Sequence, residues 1–89
     1  MFVALGRVRS GTMKERMARR IDWKPPQGMR PVAECWLQGD PTVISITEAD
    51  SMAPIMAAIS DWDDVFHWTV LPAVTAQEGL EMAKRMMQP

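Results

Sequence analysis

The only histidine of the chain, His67, lies in the run Val-Phe-His-Trp-Thr-Val-Leu-Pro at residues 65–72. An imidazole titrates near neutrality, which suits a general base once a partner orients it. The competing reading is a hydrogen-bonded structural residue of a strand. Alternation along a strand separates His67 from Phe66, Trp68 and Val70, which make the better packing face. His67 is therefore expected to point away from the helices, towards a sheet face or its rim. Glu48 closes the run Ile44-Ser45-Ile46-Thr47-Glu48 and shares a face with the two isoleucines. A carboxylate at the mouth of an apolar cavity can act as acid or base. At a wet strand end it would only cap the following helix. Glu48 and His67 are the candidate catalytic residues, Glu48 ahead of His67.

Three tryptophans, Trp36, Trp62 and Trp68, have the area to line a pocket for a flat ligand, although core packing is the ordinary use of such side chains. The ligand-binding candidates are Trp36, Trp68, Leu37, Ile44 and Met56. Nine methionines, including Met13, Met17, Met52 and Met56, fall on helical stripes, where they fill core gaps or soften a pocket wall. Cys35, in mid-strand with no base beside it, reads as an inert buried thiol. A single cysteine excludes an internal disulfide, and no His/Cys cluster has zinc spacing. There is no phosphate-binding glycine loop, no H-E-x-x-H and no Gly-x-Ser-x-Gly. No metal and no cofactor is expected.

The net charge of −1 conceals a segregation. Residues 1–30 hold eight Lys/Arg against two acids, whereas residues 31–83 hold nine acids and no base. Such a basic stretch either attracts an acidic partner or meets the acidic remainder of the same chain. No stretch reaches membrane-spanning length and no leader pattern precedes the first apolar run. A cytoplasmic protein without a membrane partner is expected.

The elements that must position these residues follow from local signals. Residues 2–8 form a short β-type run. Thr12 and Glu15 make a capping box, and Met13, Met17 and Ile21 recur at helical spacing, which predicts a helix over 12–23. Pro25 and Pro26 end it. Two β-type runs, 30–38 and 42–48, flank Gly39-Asp40-Pro41, which predicts a hairpin. Pairing Gly39 with Thr42 sets Cys35 opposite Ile46, Leu37 opposite Ile44 and Ala33 opposite Glu48. A second helix is predicted over 50–62, with Asp50 or Ser51 as cap. A last strand covers 65–74, and a second capping box, Thr75 with Glu78, opens a C-terminal helix.

The order is β-α-β-β-α-β-α within one domain over residues 1–89. Its first six elements have the ferredoxin-like arrangement, an α+β sandwich with a four-stranded antiparallel sheet and helices on one face. The uncovered face carries apolar residues, Trp36 and Val43 among them, where a monomer would carry polar ones. A homodimer through that sheet face is expected. Nucleic acid is not an expected partner, because strands 2–8 and 42–48 lack the aromatic signature of RNA-recognition sheets.

The hairpin sequence Gly28-Met29-Arg30-Pro31-Val32-Ala33-Glu34-Cys35-Trp36-Leu37 resembles a family of short uncharacterised proteins of the dimeric α/β-barrel group. So do Glu48 and Asp50 after the third strand, Trp62 and Asp64 before the fourth, and Val70, Pro72 and Val74 within and after it. The likeness covers residues 28–80. The chain departs from the pattern at His67 and Thr69, where acidic residues are commoner. The family brings no activity with it. The wider group, which includes cofactor-free monooxygenases, lactone isomerases, haem proteins and plain ligand binders, implies a dimer with a pocket between sheet and helices. The expected function is binding of a small apolar or aromatic molecule, with oxygenase- or isomerase-like chemistry open. The alternatives are a structural or regulatory protein docking through its basic first helix, and a weak RNA binder.

Overall fold

A computed structural model describes residues 1–88. Seven elements follow in the expected order: β1 (Phe2–Val8), α1 (Met13–Asp22), β2 (Met29–Trp36), β3 (Val43–Ala49), α2 (Ala53–Trp62), β4 (Phe66–Pro72) and α3 (Ala76–Met86). The four strands make one antiparallel sheet in the order β2-β3-β1-β4. This is the ferredoxin-like arrangement, with α1 and α2 on one face and α3 added at the end.

Both threonine N-caps form. The Glu15 amide donates to Thr12 Oγ1 at 3.1 Å, and the Glu78 amide donates to Thr75 Oγ1 at 3.1 Å. Each satisfies an amide that a helix start leaves without an intrahelical acceptor. In α2 Pro54 falls in the first turn, as its missing N–H requires. Met52 is the cap residue there, and its side chain makes no cap hydrogen bond; Asp50 and Ser51 lie just before it.

The β2–β3 hairpin differs from the expected register by two residues. Cys35 lies opposite Ile44, Trp36 opposite Val43 and Ala33 opposite Ile46. The loop thus holds four residues, 38–41, closed by the Leu37 amide donating to the Thr42 carbonyl at 2.7 Å. Asp40-Pro41 fits neither of the two usual two-residue hairpin turns. A type I′ turn needs positive φ at both central residues, which proline cannot adopt, and type II′ needs glycine where Asp40 stands. A bulge between Pro31 and Ala33 then shifts the edge strand by one, so Met29 and Pro31 share a face with Glu34 and Trp36.

The core is small. Ile55, Ala58 and Trp62 of α2 and Phe66 of β4 are its buried apolar residues, and Thr47 is the buried polar one. α1 has no buried residue. Instead, its arginines lie over aromatic rings: Arg16 over Phe66 at 5.6 Å, Arg19 over Trp62 at 4.7 Å and Arg20 over Trp23 at 5.3 Å. α3 stands apart. None of its residues is buried, Leu80 is 64% and Met86 81% exposed. The radius of gyration is 15.4 Å, against about 12 Å for a compact chain of this length.

Candidate functional site

Between α1, α2 and the sheet lies an apolar cleft of about 140 Å³. Its floor is the covered sheet face: Phe2 and Ala4 from β1, Ser45 and Thr47 from β3, and Trp68 from β4. Its deep wall is the buried side of α2, with Ile55, Ala58 and Trp62. The exposed lining residues Met13, Met17, Trp36 and Leu37 mark the mouth, between α1 and the end of β2. The cleft exists because the covered face is built of small and polar side chains. Ala4, Ser45 and Thr47 cannot fill the space that α1, held off by arginine stems, leaves above them.

The polar groups of the cleft fall into two sets. At the mouth, Arg20 Nε donates to Glu34 Oε2 at 3.2 Å, and Trp36 Nε1 donates to the same oxygen at 2.6 Å. Arg20 Nη2 donates to Glu34 Oε1 at 3.3 Å. On the floor, the Ser45 and Thr47 hydroxyls lie 3.4 Å apart. The indole Nε1–H of Trp68 is buried and has no acceptor among the described residues. Trp68 is held by packing, edge-on to Phe66 at 5.2 Å between ring centres and over Gly6, where a Cβ would come within 2.9 Å of its Cζ3.

Trp36, Trp68 and Leu37 line this cleft, but the other four expected site residues, Ile44, Glu48, Met56 and His67, do not. Ile44 and Glu48 lie on the opposite sheet face, because the cleft takes Val43, Ser45 and Thr47 from β3 and neighbours on a strand alternate. Glu48 is paired there with the amine of Met1 at 3.7 Å, its side chain 47% exposed. Met56 is 62% exposed and lies outside the lining, since Ile55, Ala58, Ile59 and Trp62 form the inner side of α2. Trp36 and Val43, expected on the open face, belong to the covered one, the reverse of the expected hairpin orientation. His67 is exposed beside Arg7 of the neighbouring strand and opposite in sense to Phe66 and Trp68, as alternation predicts. Cys35 is exposed rather than buried, being on the edge strand.

Ser45, Thr47 and the Arg20–Glu34 pair were not among the expected site residues. The alternation of Val43, Ser45 and Thr47 is a sequence signal for one semi-polar sheet face. The pairing of Arg20 with Glu34 depends on the hairpin register that sets Glu34 opposite Ser45, and it has no sequence signal.

The basic amino-terminal third meets acids of the same chain. Arg19 Nη1 reaches both oxygens of Asp64 at 3.0 Å, and its Nη2 donates to the Asp61 carbonyl. Arg7 pairs with Asp40 at 3.3 Å and Arg30 with Asp50 at 3.1 Å. The hydrogen bond from Arg19 holds the Asp64 carboxyl below its ordinary value of 3.8, against a smaller upward push from desolvation. Among the described residues no group of three or more His, Cys, Asp or Glu is placed to hold a metal ion, and no helix is long and apolar enough to cross a membrane.

These features define a ferredoxin-like α+β domain with a half-open apolar cleft between its two layers. The chain belongs to the family described as a domain of unknown function, DUF3303, whose pattern matches residues 2–87. No curated protein matches the chain, and no solved structure matches it.

Proposed function

We propose that the protein binds a small apolar or aromatic molecule in the cleft between sheet and helices, and does so as a homodimer joined through the open sheet faces. The observation that carries the binding reading is the cleft itself. About 140 Å³ of apolar space stands where helices and sheet would otherwise interlock, and empty core volume costs stability unless something occupies it. Binding is favoured over catalysis by the state of Glu34, the one carboxylate among the described residues that line the cleft, which is taken up by Arg20 and Trp36. The dimer reading rests on Val3, Leu5, Ile44 and Ile46, apolar side chains on a face that no helix of the chain covers.

The cleft is tested by filling it. Toluene added to the wild-type chain should raise Tm in a thermal melt, since a ligand that binds only the folded state stabilises it. Ala4→Leu, which puts a larger side chain on the cleft floor, should remove the toluene-dependent rise while the chain remains folded. A wild-type Tm indifferent to toluene and to other single-ring solutes would reject the reading.

A further inference from the structure

The two helices above the sheet are fastened by different forces. α2 turns Ile55, Ala58 and Trp62 to the core, and all three are buried. α1 has no buried residue. Its Met13, Arg16, Met17 and Arg20 line the cleft, at spacings of three and four that make one helix face. That face closes the cleft, yet Met13 and Met17 stay 50% and 43% exposed.

Polar contacts of arginine fix α1 to the body instead. Arg19 lies over the Trp62 ring at 4.7 Å, reaches both oxygens of Asp64 at 3.0 Å and donates to the Asp61 carbonyl. Asp61 and Asp64 flank the turn from α2 into β4. On the other side Arg20 pairs with Glu34 of the edge strand β2 at 3.2 Å, at the mouth of the cleft. Just past the helix, Trp23 Nε1 donates to Asp61 Oδ2 at 2.9 Å. Both ion pairs reach solvent. Pairs of this kind are weak and are screened by salt, whereas screening does not touch the apolar burial that holds α2.

Resting on the cleft being the binding site, we propose that α1 is its lid, latched by Arg19 at the α2–β4 turn and by Arg20 at the mouth, and that a small molecule enters when both latches release. The release is a local opening within the folded chain. A detached helix of ten residues is too short to hold itself in water, so opening the lid also melts it. Gly11 and Gly28, both at positive φ, bound the segment that moves, as small residues often do at hinges.

Hydrogen–deuterium exchange of the purified chain reads the lid without any ligand. The helical amides from Arg16 to Asp22 should exchange faster than those of α2. The difference should grow about two- to fivefold, the range of exposed ion pairs, when NaCl rises from about 0.02 M to about 1 M and the screening length falls to about 3 Å. Arg19→Gln and Asp64→Asn should each have the same effect at low salt with α2 and β1 unchanged, glutamine being nearly as good a helix former as arginine. Toluene should slow the α1 amides, because an occupied cleft favours the closed lid. Protection of α1 equal to that of α2, or exchange indifferent to salt and to both substitutions, would overturn the latch. A Tm raised by toluene with α1 exchange unchanged would show entry without the lid and overturn its role. A Tm indifferent to toluene would reject the cleft as a site, and the lid role with it, whatever the latch does.

Discussion

The two faces of the sheet have exchanged their usual characters. The covered face carries Ala4, Gly6, Ser45 and Thr47 between a few large aromatics, and the helices above it leave a cleft. The uncovered face carries Val3, Leu5, Ile44, Ile46 and Leu71. In a monomeric two-layer domain the more aliphatic side packs against the helices and the more polar one meets water. Here the helices lie over the side with the hydroxyls. That reversal separates two kinds of surface: an aliphatic face left uncovered, and a semi-polar face roofed by helices.

The comparison can be broken first at its strongest point. Phe66 is buried and touches Trp62, Trp68 and Arg16. Phe66→Ala should cost about 3–5 kcal/mol of unfolding free energy in urea, whereas Leu71→Ala on the same strand but the open face should cost well under 1 kcal/mol at concentrations where the chain is monomeric. Equal costs would mean that the open face is packed within one chain. Ile46→Asp sharpens the other side. A charge at the centre of paired sheets has no partner, so the variant should sediment at the monomer mass with its far-UV circular dichroism unchanged. A wild-type chain that already sediments as a monomer would dissolve the contrast.

What could be read in advance divides along the same line. Thr12 with Glu15 and Thr75 with Glu78 announced two helix starts because capping is local. On β4 the contrast between Phe66, Trp68 and Val70 and the more polar His67 and Thr69 oriented the strand correctly. On the β2–β3 hairpin the same reasoning inverted the faces. The aliphatic character of Ile44 and Ile46 points them to the core, whereas the covered side of this sheet is the less aliphatic one. Glu48 shares their face and so lies away from the cleft, beside the Met1 amine. The hairpin register differs by two residues because Asp40-Pro41 fits neither usual two-residue hairpin turn and the chain closes a four-residue loop instead. Trp68, by contrast, was expected as a ligand contact and does line the cleft, though nothing in the sequence distinguished its unpaired N–H from the paired one of Trp36.

Smaller effects refine the picture. Gly6→Ala would push a Cβ to within 2.9 Å of Trp68 Cζ3. Overpacking of this kind costs about 1–3 kcal/mol, and it should shift the near-UV circular dichroism because the ring must move. The smallest effect is acid dependence. Arg19 depresses the Asp64 carboxyl in the folded chain, so the stability it contributes is fully present above 3.8 and is lost as pH falls through the lower folded value. Asp64→Asn should flatten that part of the Tm–pH curve slightly, in keeping with an exposed pair.

The helix α3 has eleven residues, fewer than a helix needs to hold itself in water by backbone bonds alone. None of its residues is buried, Leu80 and Ala83 on its apolar side included. If a second copy supplies support, helix content becomes a function of dilution. The last segment would melt as the protein is diluted and re-form as it is concentrated, while the sheet stays intact throughout. Assembly would then be legible in circular dichroism at 222 nm, without any label, as a concentration-dependent fraction of the helical signal.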